Sequence, residues 1–160
     1  RVSAFLAQVG HESGRLRYVR EIWNPVQCPW QLKYNRMAAL GNTLPEAIAI
    51  AAKHGSTPGP WWKGHGLIQI TGYNNHLACG TALGLSLLHK PELLEQPENG
   101  AASAAWFWST HDCNKYADLG DIDGVSDVIN IGRKTARVGD ANGFSDRLAI
   151  YQQAKLVLLG

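Results

Sequence analysis

No stretch of this chain stays apolar for the ~18 to 20 residues that crossing a bilayer requires. The nearest is the short Ala- and Trp-rich piece at residues 101–108. A membrane-spanning helix is excluded and no membrane insertion is expected. Runs of basic residues are also missing, and 15 Lys and Arg against 13 Asp and Glu leave a net charge of only +2. No nucleic-acid footprint is visible, and the charge supports at most weak attraction to an anionic surface. Cysteine is scarce and odd in number: Cys28, Cys79 and Cys113 form no C-x-x-C pair, so neither a zinc knuckle nor a dithiol redox site is expected, and reduced, partly buried thiols are. His11-Glu12 lacks the second histidine four residues on that a zincin helix needs. No metal and no cofactor is predicted.

The apolar residues 2–9 run into the polar His11-Glu12-Ser13 without a small-residue cleavage site, so the opening does not read as a signal peptide. It reads as a chain that starts part-way through a helix, with an N-terminal segment missing. With 160 residues and 45% apolar composition, a single domain over 1–160 can build its core without metal or disulfide staples.

What is present is mostly helical patterning. Val2, Phe5, Leu6 and Val9 recur at helical spacing and predict an apolar stripe, with Gln8 and His11 to its side. Residues 24–29 form a Pro-flanked turn. Short helices are expected over 36–39 and 45–54, and the Gly/Pro-rich residues 55–60 are the strongest loop signal. Residues 64–72 place β-branched side chains between glycines and read as a short strand or bent extended piece. Helices are predicted over 74–83, ending near Gly84, and from Pro97 or Glu98 through Trp108. Two more follow, one capped by Asp121 or Asp123 and a last one capped by Ser145. The fold class is mainly α with one small β element.

Glu12 stands on the predicted apolar stripe, an unusual place for a carboxylate. Burial disfavours a charged carboxylate, which suits a general acid that must hold a proton near neutral pH. The bland alternative is a buried glutamate tied by Arg15 or Arg17. Glu21 lies where the chain leaves regular structure, just before Ile22-Trp23-Asn24-Pro25, and a second carboxylate on a mobile rim suits a base. Inverting glycoside hydrolysis requires such an acid and base ~6.5 to 9.5 Å apart. Glu21 could equally be a solvated partner of Arg17 or Arg20. Gln69 and Thr71 alternate with Ile68 and Ile70, so amide and hydroxyl share one face suited to sugar hydroxyls and acetamido groups, although edge-strand polarity gives the same pattern. Trp61 and Trp62 could stack on sugar faces; Trp106 and Trp108 read as core.

With these residues in view, the sequence resembles glycoside hydrolase family 19, the chitinase-like enzymes, and especially its phage-endolysin and bacterial peptidoglycan-hydrolase branch. The resembling stretches are Phe5-Leu-Ala-Gln-Val-Gly-His11-Glu12-Ser13, Tyr18-Val-Arg-Glu21, Gly64-His65-Gly66-Leu-Ile-Gln69-Ile-Thr71-Gly72, Pro91-Glu-Leu-Leu-Glu-Gln-Pro97-Glu, Ala104-Ala-Trp106-Phe-Trp108, Val128-Ile-Asn130 and Asp146-Arg147-Leu148. They cover nearly the whole chain in the family's order.

The resemblance implies a lysozyme-like, two-lobed helical fold with a small β element and a central substrate cleft, and cleavage of β-1,4 bonds next to N-acetylated sugars with inversion. It makes Glu12 the proton donor, Glu21 the base, and Thr71 the hydroxyl that helps position water. It makes Gln69, Asn75 and Asn130 sugar-binding and Arg147 the arginine that holds the carboxylate network, and Arg147, His65 and Trp62 are expected with them at the substrate. The implied substrate is bacterial peptidoglycan, with chitin as the alternative. The implied setting is synthesis in a bacterial cytoplasm and action at the wall after release or export, as a monomer. A non-catalytic glycan-binding relic and a lytic transglycosylase are the other classes to separate. Two positions depart from the family pattern. His65 stands where an arginine is usual, making a constant positive charge pH-dependent, and Ile131 replaces a glycine after Asn130, adding bulk where backbone would approach sugar.

Overall fold

The computed structural model describes all residues of the chain, 1–160. Eight α-helices and three 3₁₀ segments account for nearly all regular structure: α1 (Val2–Glu12), α2 (Pro45–Lys53), α3 (Pro58–Trp61), α4 (Tyr73–Leu83), α5 (Pro97–Thr110), α6 (Cys113–Asp118), α7 (Ile122–Ile131) and α8 (Phe144–Leu159), with 3₁₀ turns at Pro29–Arg36, Ala38–Leu40 and Pro91–Glu95. The fold is mainly α, and no helix is long and apolar enough to cross a membrane. The chain divides into two compact units, Arg1–Arg17 with Ala105–Gly160, and Tyr18–Ala104.

In the first unit, α1 packs along α8. The predicted stripe on α1 is displaced: Val2 and Leu6 are 60% and 43% exposed, while Ser3, Ala4, Ala7, Gln8, Val9 and Gly10 are buried. Small residues let α8 approach closely, with Ile150 in ordinary van der Waals contact with the space a side chain at Gly10 would take. The bulky residues are thereby left on the flanks. Ala4 and Ala7 join Trp108, Cys113, Ile122, Val125 and Val128 in the core. Phe5 meets Trp108 edge-on at 5.4 Å, and the Trp108 indole N–H donates to Asn114. Asp121 caps α7, accepting from the Gly124 N–H at 2.8 Å. The last helix is not capped by Ser145. Its cap is two residues earlier, at Gly143, whose φ of +68° and contact with the His11 ring leave no room for a side chain.

In the second unit, Ala47, Ile50, Ala51, Trp62 and Tyr73 form the core. Residues 58–60 are not loop, because Pro58 opens α3 at its first turn, where a missing N–H costs nothing. The helix expected over 36–39 is replaced by 3₁₀ turns on either side of Met37. The expected extended piece at 64–72 is a tight reversal: His65 pairs with Ile70 and with Arg20 in isolated antiparallel bridges, and Gly66 and Gln69 turn the chain at φ +78° and +56°. Ile68 and Ile70 are buried, as the alternation required.

Candidate active site

The predicted site residues fall into two hydrogen-bonded networks, one within each unit. The first is built on α1 and α8. Gln8 and Glu12 are four residues apart and share a face of α1. Arg147, 1% exposed, binds both: one guanidinium nitrogen donates to Gln8 Oε1 at 2.5 Å, another donates to Glu12 Oε1, and Nε donates to the Asn142 carbonyl at 3.0 Å. The Asn142 N–H in turn donates to Asn130 Oδ1 at 2.8 Å. Glu12, Arg147 and Asn130 are thus joined through one loop residue.

Glu12 keeps 19% of its side chain exposed, so one of its oxygens is tied inward while the group still reaches solvent. The apolar surroundings expected for Glu12 are not found, since the carboxylate lies against the Arg147 guanidinium, and its partner is neither Arg15 nor Arg17. Arg15 is taken by Asp146, which it shares with His11, and these two partners hold the Asp146 carboxyl well below the usual carboxylate range. The chain leaves α1 through Gly14, Arg15 and Leu16, all at positive φ, a strained left-handed exit immediately after the acid.

Gln8 carries no sequence signal as a site residue, since its amide lies beside the predicted stripe. It is fully buried, donating to Ser126 Oγ at 3.0 Å while accepting from Arg147. A buried amide with both ends satisfied fixes the guanidinium that fixes Glu12.

The second network is centred on Glu21. Its backbone N–H donates to the Gly64 carbonyl at 2.8 Å, and the Gly64 N–H donates back to Glu21 Oε2 at 3.1 Å. Gln31, buried in the 3₁₀ segment, donates its amide to Glu21 Oε1 at 2.9 Å and to the Ile22 carbonyl at 2.8 Å. Glu21 is therefore held by neutral donors instead of sitting on a mobile rim, and Arg20 pairs at 3.6 Å with Glu95. Burial and the Glu21 carboxylate push the Tyr34 hydroxyl up to about 12, so it stays protonated beside the carboxylate.

Gly64 also packs against the Gln69 amide; a Cβ there would stand 2.4 Å from Gln69 Oε1. Gln69 donates to the Gly66 carbonyl at 2.9 Å, the Thr71 hydroxyl donates to the Gln69 carbonyl at 2.8 Å, and Asn75 donates to the Thr71 carbonyl at 2.8 Å. Glu21, Gln69, Thr71 and Asn75 are thereby connected within one unit, all half-buried.

Three residues expected at the substrate are corrected. Trp62 is fully buried, edge-on to Tyr73 at 5.1 Å, so its ring is a core element that cannot stack on a sugar face; the neighbouring Trp61 is stacked on His54 instead. His65 is 2% exposed, and burial, followed by the neighbouring His76 and Lys63, lowers its pKa to about 3. It is neutral across the ordinary pH range, so the expected pH-dependent charge at this position is absent. Arg147, also expected at the substrate, is likewise buried, and its guanidinium binds Glu12 and Gln8. Cys79 and Cys113 are buried free thiols and Cys28 is half-buried.

The model of the family described as class I chitinase, glycoside hydrolase family 19, matches residues 1–141. A glycosyl hydrolase family 19 domain-containing protein of Haemophilus influenzae is 30% identical over 163 aligned residues, covering 92% of this chain and 75% of that protein. Endochitinase 2 of Gossypium hirsutum is 33% identical over 112 residues, covering 68% of this chain and 35% of its own length, so the chain spans about a third of that relative. Among solved structures, chitinase C from Streptomyces griseus superposes with a TM-score of 0.71 at 24% identity over 98% of this chain and 58% of that one, a likeness of fold. The two arginine- and amide-held carboxylates therefore sit in a chain that belongs to glycoside hydrolase family 19.

Proposed function

We propose that the chain is a glycoside hydrolase that cleaves β-1,4 bonds next to N-acetylated sugars with inversion. Glu12 is the proton donor, Glu21 the base that activates water, and Thr71 a hydroxyl that helps position that water. Gln69, Asn75 and Asn130 bind sugar. The observation that carries this reading is the carboxylate of Glu12, held by a buried arginine yet open to solvent. A carboxyl group oriented by a buried guanidinium and still accessible to solvent can reach a leaving oxygen.

The substrate favoured by this reading is bacterial peptidoglycan, reached after release or export, by a monomer that needs no cofactor. Three free cysteines support it, since small secreted frameworks lean on disulfides. Chitin oligomers are the second reading, supported by the endochitinase and chitinase names of the relatives.

The test is incubation of the protein and its Glu12→Gln variant with purified peptidoglycan and with chitin oligomers, followed by mass spectrometry of the released ends. Reducing ends from peptidoglycan, lost in the variant, are expected. Products from chitin alone would make it a chitinase, anhydro ends a transglycosylase, and binding without products a glycan-binding relic.

A further inference from the structure

Lys63 belongs to no part of the networks above, yet it stands beside the second one. It precedes Gly64, the residue whose N–H and carbonyl both bind Glu21. Its ammonium is half-buried and makes a single hydrogen bond, to the Pro60 carbonyl at 3.2 Å; no carboxylate lies within 4.0 Å. An ammonium has three donors, so two are left to be satisfied by water or by a ligand. Both Glu21 oxygens are already taken, by Gln31 and Gly64. Burial, and after it the nearby Arg20, lowers the lysine's pKa, while Glu95 and Glu21 attract its charge from beyond 4.0 Å; Arg20 itself pairs with Glu95 at a long 3.6 Å. Of the two carboxylates within electrostatic reach of Lys63, Glu95 is shared with Arg20 and Glu21 is already hydrogen-bonded, and neither touches the ammonium.

We propose that Lys63 is a specificity-determining residue, whose free N–H donors take a carboxylate of the substrate and so favour an anionic glycan over a neutral one. This rests on the glycosidase reading and deepens it. Peptidoglycan carries carboxylates on its peptide stems, whereas chitin is neutral and its deacetylated form is cationic. A charge-assisted hydrogen bond from a partly desolvated ammonium gives the discrimination, and its strength falls with added salt.

The test compares kcat/KM of the protein, Lys63→Gln and Lys63→Arg on three substrates: soluble peptidoglycan fragments, the same fragments with their carboxylates amidated, and chitin oligomers. Lys63→Gln is expected to lose about 3- to 10-fold on the native fragments, as a partly exposed charged hydrogen bond implies. It is expected to stay within about two-fold of the parent on the amidated fragments and on chitin, with Lys63→Arg restoring the native-fragment rate. Equal losses on all three substrates would make Lys63 a support for Glu21 and overturn the proposal, as would no loss on native fragments. A parent that cleaves chitin but not peptidoglycan overturns this inference alone, while a parent that cleaves neither overturns the glycosidase reading as well. Thermal melts of the variants show whether a loss is one of folding.

Discussion

The guanidinium of Arg147 binds Glu12 and Gln8 at once, from a position 1% exposed to solvent. Removing it would leave a carboxylate and a buried amide without their donor. Arg147→Ala is expected to cost about 3 kcal/mol in urea unfolding, because orphaning one partner of a buried charged pair is far more costly than removing both. Arg147→Lys keeps the charge but loses the fork, and is expected to cost about 1–3 kcal/mol. In a double-mutant cycle with Glu12→Gln, a coupling above about 1 kcal/mol is expected, and additivity would mean the two groups do not interact.

Gln8 is expected to matter for activity without touching substrate. Gln8→Leu removes the bonds to Ser126 and Arg147; Ser126 keeps its bond to the Ile122 carbonyl, but a buried Arg147 N–H loses its acceptor, at about 1–3 kcal/mol. If Gln8 positions Glu12 through Arg147, kcat falls while KM is nearly unchanged, as steady-state kinetics on a glycan oligomer would read.

Gln8 also shows where the sequence stopped being legible. Gln8 reads as lying beside the apolar stripe, and Val2 and Leu6 as part of it; close packing through Ala4, Ala7 and Gly10 buries Gln8 and leaves Val2 and Leu6 exposed. Helices α2, α4, α5 and α7 were readable because local chemistry marks their ends: Pro45, the left-handed Gly84, Pro97 and the capping Asp121. Nothing local marks α6, which follows Asp112 at positive φ, or tells that Gly143, not Ser145, opens α8. In the site, the resemblance pointed to Glu12, Glu21 and Arg147. Gln31, a glutamine in a short 3₁₀ turn, gave no signal, because its role depends on a contact ten residues back along the chain.

Two buried histidines set a pH window for stability. Burial lowers His65 to about 3 and His76 to about 4, against an ordinary value of 6.5. His76 Nδ1 faces the Gly72 carbonyl, His65 Nε2 lies 3.8 Å from Glu95, and Lys63 and Arg20 oppose added positive charge. Above pH 6.5 neither state carries these protons and stability is independent of them. Between pH 6.5 and about 4 the unfolded chain binds protons that the folded chain refuses, so stability falls as pH falls, by a few kcal/mol in all. Urea midpoints at pH 7.5, 5.5 and 4.5 should decline, and His76→Gln should flatten the decline. An unchanged slope in that variant would mean the histidine is already charged in the folded protein.

Thiol reactivity separates the three cysteines. Burial pushes the thiols of Cys79 and Cys113 up to about 11, and both are inaccessible, while Cys28 is half-buried. A thiol reagent at pH 8 should modify one cysteine rapidly in the native protein and all three after denaturation. Fast modification of more than one native thiol would contradict the packing of α4 or α6.

The proposed mechanism has Glu12 deliver the proton in an inverting hydrolysis. The most direct measurement is proton NMR of the anomeric signals during early cleavage of a β-linked glycan oligomer, with the parent protein and with Glu12→Gln. Reducing ends in the α-anomeric form are expected first, with a rate loss of about 10² to 10⁴-fold in the variant and binding retained. A β-anomer appearing first, or undiminished turnover by Glu12→Gln, would contradict that mechanism.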